Sequence, residues 1–263
     1  MFSVSRRAFA GSVALLSACQ ATSISNGASS RAIAYATQPG RPALDMINSR
    51  GSPFGQAFAD AISADEPTIH HLLQRATWST QLLTAGVQQP TWHADADFRL
   101  DGLWESAPVL LLMFSDYVGT TTWQPLRGPE LDTSLLAGAL RDAGARVLLG
   151  ANLDPGEVEQ VLAEFSAESA MAPFGLLYCT GHGVAVSGTQ YVIPIDPDPS
   201  EPSAVKGAYI WPRLAAANRA RKSLSVWAGC RDNPLPQTTA PSSSPSRLSG
   251  RAEAFGFARG MTR

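Results

Sequence analysis

Residues 174–184, FGLLYCTGHGV, begin as a continuous apolar run and end on a histidine between two glycines. The run is too short for an ordinary helix and does not alternate with polar residues, which is how a strand buried on both faces reads. SLSVWAG at 223–229 is a second such strand, and it leads into Cys230, Arg231 and Asp232. Upstream, PVLLLMF at 108–114 and RVLLG at 146–150 supply two more. Between the strands lie helical patterns. Residues 129–143 place Leu131, Leu135, Leu136 and Leu140 on one face before the Gly144 stop, and Asp154 caps a helix with Pro155 and Glu157 in its first turn. Val158, Val161, Leu162 and Phe165 form the stripe of that second helix. Strand alternating with helix predicts an α/β fold, a mostly parallel sheet with helices on both faces.

Chemistry in such a sheet gathers beyond the carboxyl ends of the strands. His182 and Cys230 fall there, 48 residues apart, which is room for one crossover. A thiol needs a base to act as a nucleophile at neutral pH, and an imidazole on the neighbouring strand can serve. The glycines beside each residue let a substrate backbone approach, and the amides of Gly183 and Cys230 can face a developing oxyanion.

YCTGHGV, QYVIPIDPD and GCRDNP resemble the histidine strand, the following hairpin and the cysteine strand of bacterial caspase-like (metacaspase, orthocaspase) peptidases of family C14. LRGPELDTSLLAGALRDAGARVLL is similar to that family's first helix and second strand, with Asp132 at an acidic position of the pattern. Residues 108–234 thus look like the large catalytic (p20) subunit. IAYATQPGRPALD, RGSPFGQAFADAI and QQPTWHADADFRL resemble the family's small-subunit (p10) region, yet they occupy residues 31–100, ahead of the catalytic region. This order resembles a circular permutation, as in type III metacaspases.

The resemblance implies a six-stranded sheet of order 2-1-3-4-5-6. The permuted join must cross four strand steps, roughly 19 Å at about 4.8 Å each. The connector at 101–107 reaches roughly 23 to 25 Å when extended.

From the resemblance follows an endopeptidase acting on peptide or protein substrates after Arg or Lys, with His182 as base, Cys230 as nucleophile and no third side chain orienting the histidine. Asp132 matches one acid of the S1 pocket. The other acid ordinarily stands two residues before the cysteine, where this chain has Ala228, and Asp45 is a candidate substitute. Tyr35, Ala36 and Thr37 are expected to offer backbone hydrogen bonds to an extended substrate by strand addition. Linker cleavage, a common maturation step in the family, is expected to be unnecessary here. Two rival readings remain: a caspase-fold binding module with weak or no turnover, suggested by Ala228, and a redox sensor using Cys179 and Cys230, which can pair or stay apart. Cys179 and His182 have the spacing of a metal pair without further ligands, so no metal or other cofactor is expected. His70 and His71 read as surface or packing residues and His93 as structural. Asp154 reads as a cap and Asp196 as a turn residue that can also line the cleft.

The outer segments tell of location. MFSVSRRAFAGSVALLSACQ has a short basic start and an apolar stretch, the layout of an export signal at residues 1–18. Ser5–Phe9 resembles a twin-arginine signal, and Leu16, Ser17, Ala18 and Cys19 resemble a lipobox, which makes Cys19 the expected lipid anchor on the periplasmic side of a membrane. Residues 19–30 are a small, polar tether and 235–263 a Pro- and Ser-rich tail. With 20 Lys and Arg against 22 Asp and Glu in 263 residues, the chain has no electrostatic footprint for nucleic acid. No apolar run is long enough to span a bilayer.

Overall fold

All six residues of Pro108–Met113 and all seven of Phe174–Thr180 are buried, and they form the centre of a sheet. The structure is a computed structural model, and it describes residues 29–117, 123–195 and 209–232. The expected export signal with Cys19, Asp196 and the Pro- and Ser-rich tail lie outside the described residues. In chain order the elements are β1 (Ser30–Tyr35), α1 (Pro53–Ser63), α2 (Ile69–Leu83), β2 (Thr91–Ala94), β3 (Pro108–Met113), α3 (Gly128–Asp142), β4 (Arg146–Ala151), α4 (Pro155–Ser169), β5 (Phe174–Thr180), β6 (Gly183–Val186), β7 (Thr189–Val192), β8 (Tyr209–Ile210), α5 (Trp211–Ala215) and β9 (Lys222–Trp227).

Six strands form one sheet in the order β2-β1-β9-β5-β3-β4. All neighbours are parallel except β2, which runs antiparallel to β1 with Tyr35 opposite Thr91. Side chains alternate between two cores because successive strand residues point to opposite faces. Val109, Leu111, Leu176, Tyr178, Leu224 and Val226 meet the face covered by α1, α2 and α3, whereas Leu110, Leu112, Leu177, Cys179 and Trp227 meet α4 and α5. The fold is the α/β, mostly parallel sheet with helices on both faces that the sequence predicts, and its six strands are the number the resemblance implies.

Two local expectations shift. On α3 the buried residues are Pro129, Asp132, Thr133, Leu136, Ala137 and Leu140, and Leu131 and Leu135 are only half-buried. The inward face is therefore rotated and carries a carboxylate to the core. The chain between β2 and β3 is not an extended spacer: it crosses by turns, burying Phe98, Leu100 and Trp104, and Trp104 meets Phe174 edge-on at 4.9 Å. By contrast α4 starts as its sequence predicts, with a capping box in which Glu157 N donates to Asp154 Oδ1 and Asp154 N donates to Glu157 Oε2.

After β5 the chain enters a small second sheet, β6-β7-β8. The β6–β7 hairpin closes through Ser187 and Gly188, both at positive φ, the geometry of the tight turn that matches strand twist. This hairpin is tied to the cysteine loop by Ala185 N donating to Asp232 O at 2.9 Å.

Candidate active site

At the carboxyl ends of β5 and β9, a cavity of about 120 Å³ is lined by Gly181, His182, Ala228, Gly229 and Cys230, with Asp132, Asp45, Ser52 and Ala43 among the residues around it. The parallel register of β5 and β9 makes this meeting inevitable. Cys179 lies opposite Trp227, so residues 180–182 and 228–230, which follow that pair, emerge side by side.

His182 is held on several sides. Its ring lies 4.6 Å from that of Tyr117 and 5.1 Å from that of Trp123. Its backbone N donates to Tyr117 Oη at 2.9 Å, and that hydroxyl donates to Ile193 O. The Nε2 atom is 2.8 Å from Gln124 O. A carbonyl only accepts, so Nε2 carries the proton and Nδ1 keeps its lone pair. Burial pulls the His182 pKa below its ordinary value, against the opposing effects of the Gln124 carbonyl and Asp45, so the ring is a neutral base at neutral pH.

Cys230 Sγ sits against the loop after β1, accepting from Ala43 N at 3.4 Å. Burial pushes its pKa above that of a free thiol, the Ala43 amide works against this, and Asp232 and Asp45 add to it. Burial thus favours the uncharged form of both groups, thiol and imidazole.

Asp132 is almost fully buried, at 1% exposure, and accepts from Ser52 N at 2.8 Å and Ser52 Oγ at 2.6 Å. Burial raises its pKa to about 7, although the Ser52 hydrogen bonds favour the ionised form. Asp45 accepts from Gly128 N and Arg127 N at the start of α3, whose own N-cap residue supplies no side-chain bond. Two carboxylates therefore border the cavity despite the apolar Ala228.

Tyr35, Ala36 and Thr37 do not border it. β1 is an interior strand, Ala36 N donates to Trp227 O, and Ala36 O accepts from Gln88 Nε2. The Arg231 guanidinium stacks 3.8 Å from the Tyr35 ring and donates to Thr37 O. Much of the backbone of these three is thus engaged inside the fold, while Thr37 Oγ1 is buried without a partner among the described residues. The segment that does reach the cavity is Ala43–Asp45, held by Gln88, whose Oε1 accepts from Leu44 N at 2.9 Å. Gly183 starts β6 beside the site, packed on Trp227.

No sequence motif marks Gln124 or Ala43, because they act through main-chain atoms. Tyr117 and Trp123 carried a fainter signal, aromatic residues in the loop that follows a buried strand. Cys179 is fully buried in the apolar core beneath β6, with its thiol pKa raised by desolvation alone, and both described cysteines are free. His70 packs on Trp92, His71 caps with Thr68, and His93 is exposed beside Asp95.

A model of the caspase domain (Peptidase_C14) matches residues 109–244. The chain belongs to the caspase-domain family. No curated protein matches it. The caspase-domain match begins inside β3 and takes in both His182 and Cys230, while β1, α1, α2 and β2 precede it. At the coarse level the family is one of cysteine peptidases, hydrolases whose substrates are peptides or proteins.

Proposed function

We propose that this chain is an exported caspase-like cysteine endopeptidase working through a Cys230–His182 dyad and cleaving after Arg or Lys. The observation that carries the reading is the single cavity lined by His182, Cys230 and Asp132. With Nε2–H committed to Gln124 O, His182 Nδ1 takes the thiol proton as Sγ attacks the scissile carbonyl. The oxyanion develops against the amides of Gly183 and Cys230. The imidazolium then protonates the leaving amine, and water attacks the acyl-enzyme with His182 again as base.

For the substrate, the two carboxylates favour a cationic P1 side chain: Asp132 at the cavity wall, and Asp45 in place of the acid absent at 228. The p10-like region before the p20-like region is a circular permutation in this proposal, supported by a family match confined to residues 109–244 although β1 and β2 complete the sheet beside β9. Export and lipid attachment at Cys19 rest on the twin-arginine and lipobox resemblances.

The test is hydrolysis of peptides bearing Arg, Lys, Asp or Ala before the scissile bond. Cleavage confined to Arg and Lys peptides is expected. Cleavage after Asp or Ala would reject the basic specificity, and cleavage of none would favour the caspase-fold binding module.

A further inference from the structure

The two amides assigned to the oxyanion sit on separate pieces of chain. Gly183 begins the β6–β7 hairpin, and Cys230 lies in the loop after β9. Their spacing must be set by something that touches both, and two side chains do. Gln190 is buried on β7, and its Nε2 donates to Val184 O at 3.1 Å and Tyr191 O at 3.2 Å within the hairpin, and to Cys230 O at 3.0 Å across the gap. Three converging carbonyls define the orientation of this amide, since a flipped oxygen would face all three. Its Oε1 is buried without a partner among the described residues, a cost in stability that argues for a positional role.

Trp227 makes the second bridge. Its Nε1 donates to Cys230 O at 3.3 Å, and its ring lies so close under Gly183 and Gly229 that a Cβ on either would overlap it. Gly229 is further confined by Gly181 O. One indole thus supports both glycines and confines Gly229, whose peptide unit carries the Cys230 N–H, while the Cys230 carbonyl on the following peptide unit is fixed from two directions and anchors the other end of that residue.

We propose that Gln190 and Trp227 are positioning residues that gauge the oxyanion hole, setting the separation and aim of the Gly183 and Cys230 amides. This rests on the peptidase reading. Neither residue touches the substrate. Their effect appears only where charge develops on the former carbonyl oxygen, because a fixed donor stabilises the transition state without strengthening ground-state binding.

The experiment compares wild-type protein with Gln190→Leu and Trp227→Phe, whose folding is checked by thermal unfolding. Four quantities are read: kcat and KM on an Arg peptide, the affinity of the matching peptide aldehyde, whose thiohemiacetal places an oxyanion in the hole, and the rate of Cys230 alkylation by iodoacetamide. The expected result is a kcat lower by about 10- to 100-fold, less than or equal to the loss of a whole donor. Aldehyde affinity should fall in parallel, with KM and alkylation unchanged. Should Gln190→Leu fail to fold, Trp227→Phe carries the same reading. Unchanged aldehyde affinity, or a loss matched by slower alkylation, would overturn the proposal. Wild-type protein that binds no aldehyde yet alkylates at Cys230 would remove the peptidase reading and this inference with it, whereas wild-type binding that neither variant alters would remove the gauge alone.

Discussion

Asp132 combines burial, a carboxylate and two hydrogen bonds from one serine, and its consequences can be read in pH. Because burial lifts its pKa to about 7, the folded protein keeps a proton that the unfolded chain releases from about pH 4 upward. The stability tied to this group is present in acid and is lost as pH rises through about 7. Asp132→Asn should flatten the fall in thermal stability between about pH 4 and pH 7; an unchanged slope would show that another group sets it. In the proposed peptidase the same titration would govern substrate choice, since a protonated Asp132 cannot pair with a guanidinium. Below about pH 7 the KM for an Arg peptide is expected to rise. Cys230 gives a second test at this scale. With its pKa pushed up and that of His182 pulled down, alkylation by iodoacetamide should keep rising with pH past the ordinary thiol range near 8.5. A plateau established below neutral pH would instead reveal a standing thiolate–imidazolium pair.

At the scale of elements, the cavity wall depends on how closely α1 approaches α3. A Cβ on Gly55 would overlap the Asp132 carboxylate, and one on Gly51 would do the same. Gly55→Ala therefore forces either the helix or the carboxylate to move, at a cost of about 1–3 kcal/mol. Denaturant unfolding should show that loss together with a weaker preference for Arg over Ala peptides; full stability with full preference would contradict the packing argument. These contacts explain what the sequence disclosed. Buried strands such as β3 and β5 were legible because continuous apolar runs have few other uses, and the capping box of α4 announces itself in Asp154 and Glu157. RVLLG looked much like those central strands, yet β4 is an edge strand with Leu149 at 47% exposure. Periodicity reports a strand but not its neighbours. His182 and Cys230 stood out as reactive side chains after strands, whereas Gln124 and Ala43 contribute main-chain atoms that leave no trace in residue type. For the residues at 35–37 the resemblance suggests a place near the site, whereas β1, which ends at Tyr35, is paired on both sides and none of the three lines the cavity.

At the scale of the whole molecule, the sheet is completed by strands from both ends of the described chain: β1 pairs in parallel with β9 over six residues, from Ser30 opposite Lys222 to Tyr35 opposite Trp227. Arg231 reinforces that seam, its guanidinium on Tyr35 and its backbone N donating to Arg41 O, while Gly40 N donates to Arg231 O. The loop bearing Cys230 and the loop that covers it are thus fastened to one another in the intact chain. Otherwise intact protein without residues 1–18 should turn over peptide at a rate that limited proteolysis does not raise; activation by clipping would contradict this. The most direct test of the whole account is the initial rate of Arg-peptide cleavage by wild-type protein beside Cys230→Ala and His182→Ala. The account predicts turnover by the wild type that disappears in both variants while their folding is retained. Turnover that survives loss of the thiol, or a wild type as inert as its variants under reducing conditions, would contradict it.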